Sequence, residues 1–309
     1  MKGQIEFMKG ISESRAFFEE KGLPMIRKDF SEYENRIAAG LVGQGSECFG
    51  FDDEISRDHD FAPRFCLWIS REDASKIGLH LSSAYQNLLE KESANIAARS
   101  GVFVIEDFYM GLIGCSGVPQ NWKEWFSIPE YALATAVNGE VFQDDLGKFS
   151  EIRNTLQNGY PQDVLLKKLA AHLALMAQSG QYNHRRALKR GDYGAAHLAI
   201  NEYINHSFHC LFLLNNAYLP FYKWRFRAAK ALPFLSDIPA LMLNLLQEQR
   251  GEMQMQIIEQ ISARFLSELN RRELSSEKEL FLEASAIDLM KKIKDPSIRN
   301  LHLMEYGAD

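Results

Sequence analysis

Cysteine is scarce in this chain and never paired. Cys48, Cys66, Cys115 and Cys210 are the only four in 309 residues, and no two form a C-x-x-C pair. That excludes a disulfide framework and a zinc-ribbon spacing, and it reads as reduced thiols. Long hydrophobic runs are also missing. A membrane helix needs roughly 20 apolar residues, and the most apolar stretch, residues 208–221, is interrupted by Asn215 and Asn216. The N-terminal MKGQIEFMKGISESRAFFEEKG has no apolar core ahead of a cleavage site. No signal peptide or membrane association is expected, and the cytoplasm is the expected compartment. Positive charge is not in excess either. A formal net charge of −6 argues against a broad nucleic-acid surface. No aromatic-basic stripe suited to single strands compensates for it. A local basic groove remains compatible with this balance. Internal repeats, low-complexity segments and long linkers are absent as well.

What is present is ordinary globular material: 46% apolar and 25% charged residues, in a chain long enough for two domains. Residues 8–21 and 30–38 read as short helices, and Ile37–Val42 as a first strand. A turn at Gly45 leads into a short helix near Glu47–Phe51. Asp58–Ile69 reads as a second strand, with Phe65, Leu67 and Ile69 alternating on one face. Asp73–Glu92 carries helical spacing through Ile77, Leu81, Tyr85 and Leu88. Gly101–Phe108 is expected to be a third strand and Leu133–Phe142 a further one, with a turn signal at Asn138-Gly139. Beyond residue 161 only helices are expected: Asp163–Gln178, Asp192–Leu214, Glu252–Arg271, and Ser276–Lys294 opening on a Ser276-x-x-Glu279 capping box. Tyr160-Pro161 marks the boundary, because a residue before proline resists helix. The fold class is therefore α+β, with a mixed-sheet head over 1–160 and an all-helical bundle over 161–309.

The motif that carries chemistry is Gly45-Ser46, then eleven residues, then Asp58-His59-Asp60-Phe61. On a strand, side chains at i and i+2 share a face. Asp58 and Asp60 then lean together while His59 points away. Two carboxylates some 5 Å apart repel by about 3 kcal/mol at an effective dielectric of 20, which a hard cation relieves. Mg²⁺ takes such oxygens and completes its shell with water and phosphates. A Gly-Ser turn opening a helix offers backbone N–H groups and a hydroxyl to a triphosphate. Ser46 fits phosphate contact and also a plain helix cap. Arg57 fits phosphate contact or a solvent-facing turn. Asp52, Asp53 and Glu54 just upstream read as loop.

The string Val42-Gly43-Gln44-Gly45-Ser46 followed by Asp58-His59-Asp60-Phe61 resembles the signature of the polymerase-β-like nucleotidyltransferase superfamily. His59 departs from the apolar residue usual there. GQGSECFGFDDEISRDHDF (43–61), NGEVFQDDLGKFSEIRNTLQNGYPQDV (138–164), RRALKRGDYGAA (185–196) and LFLLNNAYLPFYKW (211–224) resemble a bacterial branch that joins such a head to a helical tail. The likeness runs from about residue 33 to about residue 235. In plan it is similar to aminoglycoside and lincosamide nucleotidyltransferases. The resemblance implies transfer of a nucleoside monophosphate from an NTP to a hydroxyl of a small molecule or protein, with pyrophosphate leaving. It implies two Mg²⁺ ions with the bound NTP, held by Asp58 and Asp60. A third acid belongs on a neighbouring strand, with Glu106 the leading candidate and Asp107 its competitor.

In the tail, Arg185, Arg186 and Arg190 are expected at the substrate, or as a solvated helix face. Lys223, in Tyr222-Lys223-Trp224, is expected to reach the β/γ-phosphates across the interdomain cleft. Asp192 fits a bond to the acceptor or a cap on the helix beginning there. His197, His206 and His209 read as structural, because their spacing supplies no converging acid or thiolate. Residues 236–309 read as a homodimer surface or an extra bundle wall. The rival reading is a nucleotide-binding regulator, antitoxin-like, that kept the cradle without turnover.

Overall fold

The computed structural model describes residues 10–53, 63–91 and 99–308, and its chain divides into two units. The first comprises Met1–Pro119 with Ala132–Asn158; the second comprises Gln120–Tyr131 with Gly159–Asp309.

The first unit is an α+β layer structure. Helices α1 (Gly10–Phe17) and α2 (Leu23–Asp29) lead into β1 (Ala38–Leu41). Then come β2 (Cys66–Ile69), α3 (Arg71–Lys91), β3 (Gly101–Val104) and α4 (Ile105–Ile113). After an excursion that carries α5 (Trp122–Ser127), the unit resumes within α6 (Glu130–Val137) and ends with β4 (Glu140–Gln143) and α7 (Lys148–Gln157). The sheet order is β3-β2-β1-β4, with β2–β3 parallel and the other two pairs antiparallel.

Both central strands are buried on both faces, which is why they read as Ala-Ala-Gly-Leu and Cys-Leu-Trp-Ile without alternation. On one face Phe65, Leu67 and Ile69 join Phe18, Ile26, Leu81 and Tyr85 from the helices in one core. On the other, Trp68 stacks on Phe149 of α7 at 3.9 Å and meets Phe108 of α4 edge-on at 5.3 Å. Gly40 is what lets the layers close. A Cβ there would lie 2.4 Å from the Glu140 carbonyl and 3.1 Å from the Trp68 ring.

The second unit has helices and no strand among its described residues. It contains α5, α8 (Gln162–Met176), α9 (Arg185–Lys189), α10 (Tyr193–Leu214), α11 (Arg225–Ala229), α12 (Ile238–Gln247), α13 (Gly251–Arg271), α14 (Leu282–Lys292) and α15 (Pro296–Arg299). Helices α10 and α14 both pack on α8, a helix buried along most of its length. No helix among the described residues is long and apolar enough to cross a membrane.

Several expected elements differ. The third strand stops at Val104, because Ile105, Tyr109 and Ile113 recur at helical spacing and bury one face of α4. Residues 133–137 are helical, not strand. Pro129 and Glu130 start a helix in alanine-rich sequence, leaving only Glu140–Gln143 for β4. The second strand, expected over Asp58–Ile69, begins only at Cys66: residues 63–65 are not strand, and Asp58–Phe61 lie outside the described residues. Ser276-x-x-Glu279 forms no capping box, since α14 starts at Leu282. Instead the Ser276 and Glu277 N–H groups donate to Asp288 and to the Ser275 hydroxyl.

Three of the four thiols are buried and Cys115 is half-buried. Burial pushes the Cys66 thiol up to about 12 and raises Cys48 and Cys210 as well. Since the thiolate is the nucleophile, a maleimide at pH 8 is expected to label Cys115 alone in the native protein. All four should label after denaturation. Mass mapping of the labelled peptides checks this, and early labelling of Cys66 would contradict the packing.

Candidate functional site

The loop after β1 is built around two glycines. Gly43 has φ +123° and Gly45 φ +140°, backbone conformations that side-chain-bearing residues rarely adopt. Ser46 then opens a short turn of helix, Glu47–Phe49, and its carbonyl accepts from Phe49 and Phe51 at 3.2 and 2.8 Å. Among the described residues, the N–H groups of Gly45, Ser46 and Glu47 donate to no acceptor, and the Ser46 hydroxyl makes no hydrogen bond. A short run of free amides beside a hydroxyl is an anion-binding concavity.

The loop is held from a distance. Asn138 accepts from the Gly43 N–H at 2.9 Å and donates to the Gly43 carbonyl at 2.7 Å. Gly139 donates to the Cys48 carbonyl at 2.7 Å. Arg153 Nη2 in turn donates to the carbonyls of Val137, Asn138 and Gly139, at 3.0, 3.1 and 3.0 Å. Partial burial lowers the Arg153 pKa from its usual value, so these carbonyls are its compensation.

Asp58, Asp60 and Arg57 lie outside the described residues. Of the acids expected to join them, Glu106 stands in the first turn of α4, not on a strand. In the strand register Cys66 pairs with Gly40 and with Gly101, and Ile69 with Val104. The loop therefore leaves the sheet beside the start of β2, while Glu106 follows the far end of β3. Asp107 is at that far end too, exposed and paired with Arg71 at 2.5 Å. Glu106 Oε2 is buried without a hydrogen-bond partner. At the loop end, Glu47 is paired with a buried Arg64, and Glu140 with Arg15 at 2.5 Å. Neither is free for a cation, so the magnesium expectation rests on Asp58 and Asp60. Asp52, read as loop, is buried and accepts the Gly10 N–H at 2.7 Å.

In the helical unit the basic run splits. Arg186, Arg190 and Asp192 line one pocket, whereas Arg185 lines a separate groove along α13. Asp192 takes the capping role, accepting the Ala195 N–H at 3.0 Å. Lys223 rests over the Trp224 ring at 4.9 Å.

A buried cluster was missed by the sequence reading. Glu130, Lys168, His172, His206 and His209 are all 4% exposed or less. His209 Nδ1 meets Glu130 Oε1 at 3.1 Å, Lys168 Nζ lies 3.8 Å from the same oxygen, and His172 Nδ1 meets His206 Nδ1 at 3.0 Å. Converging acid was the element expected to be absent; Glu130 supplies it from a segment 79 residues from His209. Ligand atoms of Glu130, His172 and His209 lie within 4.8 Å of one another. Yet the His172 and His209 rings are stacked at 4.1 Å and 6°. Imidazole lone pairs lie in the ring plane, so no single ion meets both without a ring turning. Burial holds His172 well below the usual histidine range, so it is neutral. Burial pushes the Glu130 carboxyl up, but His209, Lys168 and the Leu219 N–H outweigh it, and the net shift is downward. The available signal was Lys167-Lys168 inside an apolar helix face, one turn before His172.

Residues 125–225 match the family model described as Domain of unknown function (DUF4037). That span contains this whole cluster, Asn138 and Arg153. No curated protein and no solved structure matches the chain.

Asn138→Ala is expected to cost about 1–3 kcal/mol and to speed hydrogen exchange at Gly43 and Gly139. Unchanged protection there would mean that the loop is held by something else. Glu130→Gln should cost about 3–5 kcal/mol at pH 7 by leaving the buried Lys168 charge without its carboxylate. A lowered carboxyl stabilises above its unfolded value and loses that contribution as pH falls. The deficit should therefore shrink as pH falls below the ordinary carboxyl range, read by denaturant melts at each pH.

Proposed function

We propose that this chain binds a nucleoside triphosphate through the Gly43–Ser46 loop and transfers its nucleoside monophosphate to a hydroxyl, releasing pyrophosphate. The observation that carries the reading is the run of N–H groups at Gly45, Ser46 and Glu47 that, with the Ser46 hydroxyl beside them, bond to nothing among the described residues. It sits in a loop whose backbone only glycine allows. Such a loop holds phosphate oxygens without side-chain reorganisation, and positioning supplies much of the rate in phosphoryl chemistry. Asp58 and Asp60 would hold two magnesium ions, which neutralise the triphosphate and activate the acceptor oxygen. Arg57 and Lys223 are the cations assigned to phosphate. Arg186, Arg190 and Asp192, which share a pocket, are assigned to the small-molecule or protein acceptor; Arg185, in its own groove, is the weaker assignment.

One observation favours the rival reading of a nucleotide-binding regulator without turnover. The two acids considered for the third catalytic position, Glu106 and Asp107, follow the end of β3 remote from the loop. Catalysis then depends on Asp58 and Asp60 alone.

A thermal-shift screen of the four NTPs with and without Mg²⁺ tests the binding step. At least one Mg-NTP should raise the melting temperature. Asp58→Asn with Asp60→Asn should abolish that rise without lowering the basal value, and Ser46→Ala should weaken binding about tenfold. Unchanged binding in the double variant would remove the metal assignment. Pyrophosphate release with added acceptors then separates the two readings.

A further inference from the structure

One pocket of the helical unit, about 420 Å³, is lined by charges of both signs. Arg186 lies on α9 and Arg190 in the turn that ends it; Asp192 caps α10 and Glu202 stands within it. All four are exposed. They do not neutralise one another. Arg186 bonds the Tyr182 hydroxyl and lies over that ring at 4.8 Å. Asp192 spends one carboxylate oxygen on the Ala195 N–H. Glu202 faces the imidazole of His206 at 3.5 Å. Arg190 has no charged partner among the described residues.

The floor of the pocket is fixed. His206 is 4% exposed and is tied through its other nitrogen to His172. Glu202 stands beside it, and its carboxylate is open to a ligand. Buried Ala187 and Ala199 leave the room above this floor. The volume falls within the range of small-molecule sites.

Two cations and two anions around one hollow give it no net charge. A simple anion drawn to the guanidinium groups is repelled by the carboxylates, and a simple cation meets the reverse. Only a molecule carrying both signs gains on both sides, and opposite placement of charge is what sets specificity in such sites. We propose that this pocket binds a small zwitterion. Arg186 and Arg190 hold its phosphate or carboxylate, and Asp192 and Glu202 hold its ammonium group. The proposal stands on the helical unit alone; joined to the nucleotidyltransferase reading, it names the class of the acceptor.

Calorimetric titration of the full chain, without nucleotide, tests it with phosphoethanolamine, β-alanine, inorganic phosphate and ethanolamine. At least one zwitterion should bind tenfold or more tighter than either compound carrying charge of one sign, and which one distinguishes phosphate from carboxylate. Arg190→Gln and Glu202→Gln should each weaken it at least fivefold without changing the melting temperature. Glu252→Gln, in the other groove, should leave it unchanged. Equal binding of phosphate and phosphoethanolamine, a loss with Arg190→Gln but not Glu202→Gln, or binding by neither zwitterion would each overturn the proposal.

Discussion

The reciprocal pair of hydrogen bonds between the Asn138 side chain and the Gly43 backbone is the constraint on which the described site depends. Glycine has the most conformational freedom to lose on folding, and the loop after β1 places two glycines at positive φ within three residues. Ordering such a backbone costs of the order of 1–2 kcal/mol per residue, so something must over-determine it. Asn138 does so from 95 residues away, matching both the donor and the acceptor of Gly43. Arg153 holds the turn that carries Asn138, through three carbonyls at once. The amides of Gly45, Ser46 and Glu47, without an acceptor among the described residues, can then meet an incoming anion with no backbone reorganisation.

The helical unit answers a different constraint. Lys167 and Lys168 are both fully buried on α8. Lys167 donates to the carbonyls of Leu303 and Glu305, and Lys168 to that of Tyr306 at 2.9 Å. Burial brings the Lys167 pKa down to about 8, and the coulombic pull of Glu305 offsets only part of that. Glu130 compensates Lys168, and His172 fills the space as a neutral ring stacked on His209. Buried ionic groups are weak stabilisers, and their best-attested use is to fix one arrangement among several. Here they fasten residues 303–306 to α8 and set the floor from which His206 addresses the charged pocket.

Much of this was legible in the sequence for stated reasons. The first strand, the glycine loop, α3 and the helices from Gln162 to Leu214 follow from apolar runs, turn chemistry and 3.6-residue spacing. What failed was arbitration between strand and helix in short apolar runs. GVFVIEDF holds a four-residue strand that runs straight into a helix, and LATAVNGEVF holds the end of a helix followed by the first three residues of a strand, and short apolar runs do not tell the two apart. The capping box at Ser276 lost to Asp288, a tertiary partner. Histidine spacing along one helix said nothing of Glu130 or His172, because the cluster is assembled from three separate segments. The division of Arg185 from Arg186 and Arg190 was likewise invisible, since it depends on which face of the chain meets α13. The decisive acids, Asp58 and Asp60, remain a reading of spacing and resemblance.

Backbone amide NMR of the full chain during titration with Mg-ATP and the other Mg-NTPs tests the central claim most directly. The account predicts that the signals of Gly45, Ser46 and Glu47 move first and saturate together with at least one nucleotide. Saturable binding that leaves those three amides in place, or no binding of any triphosphate, would contradict it.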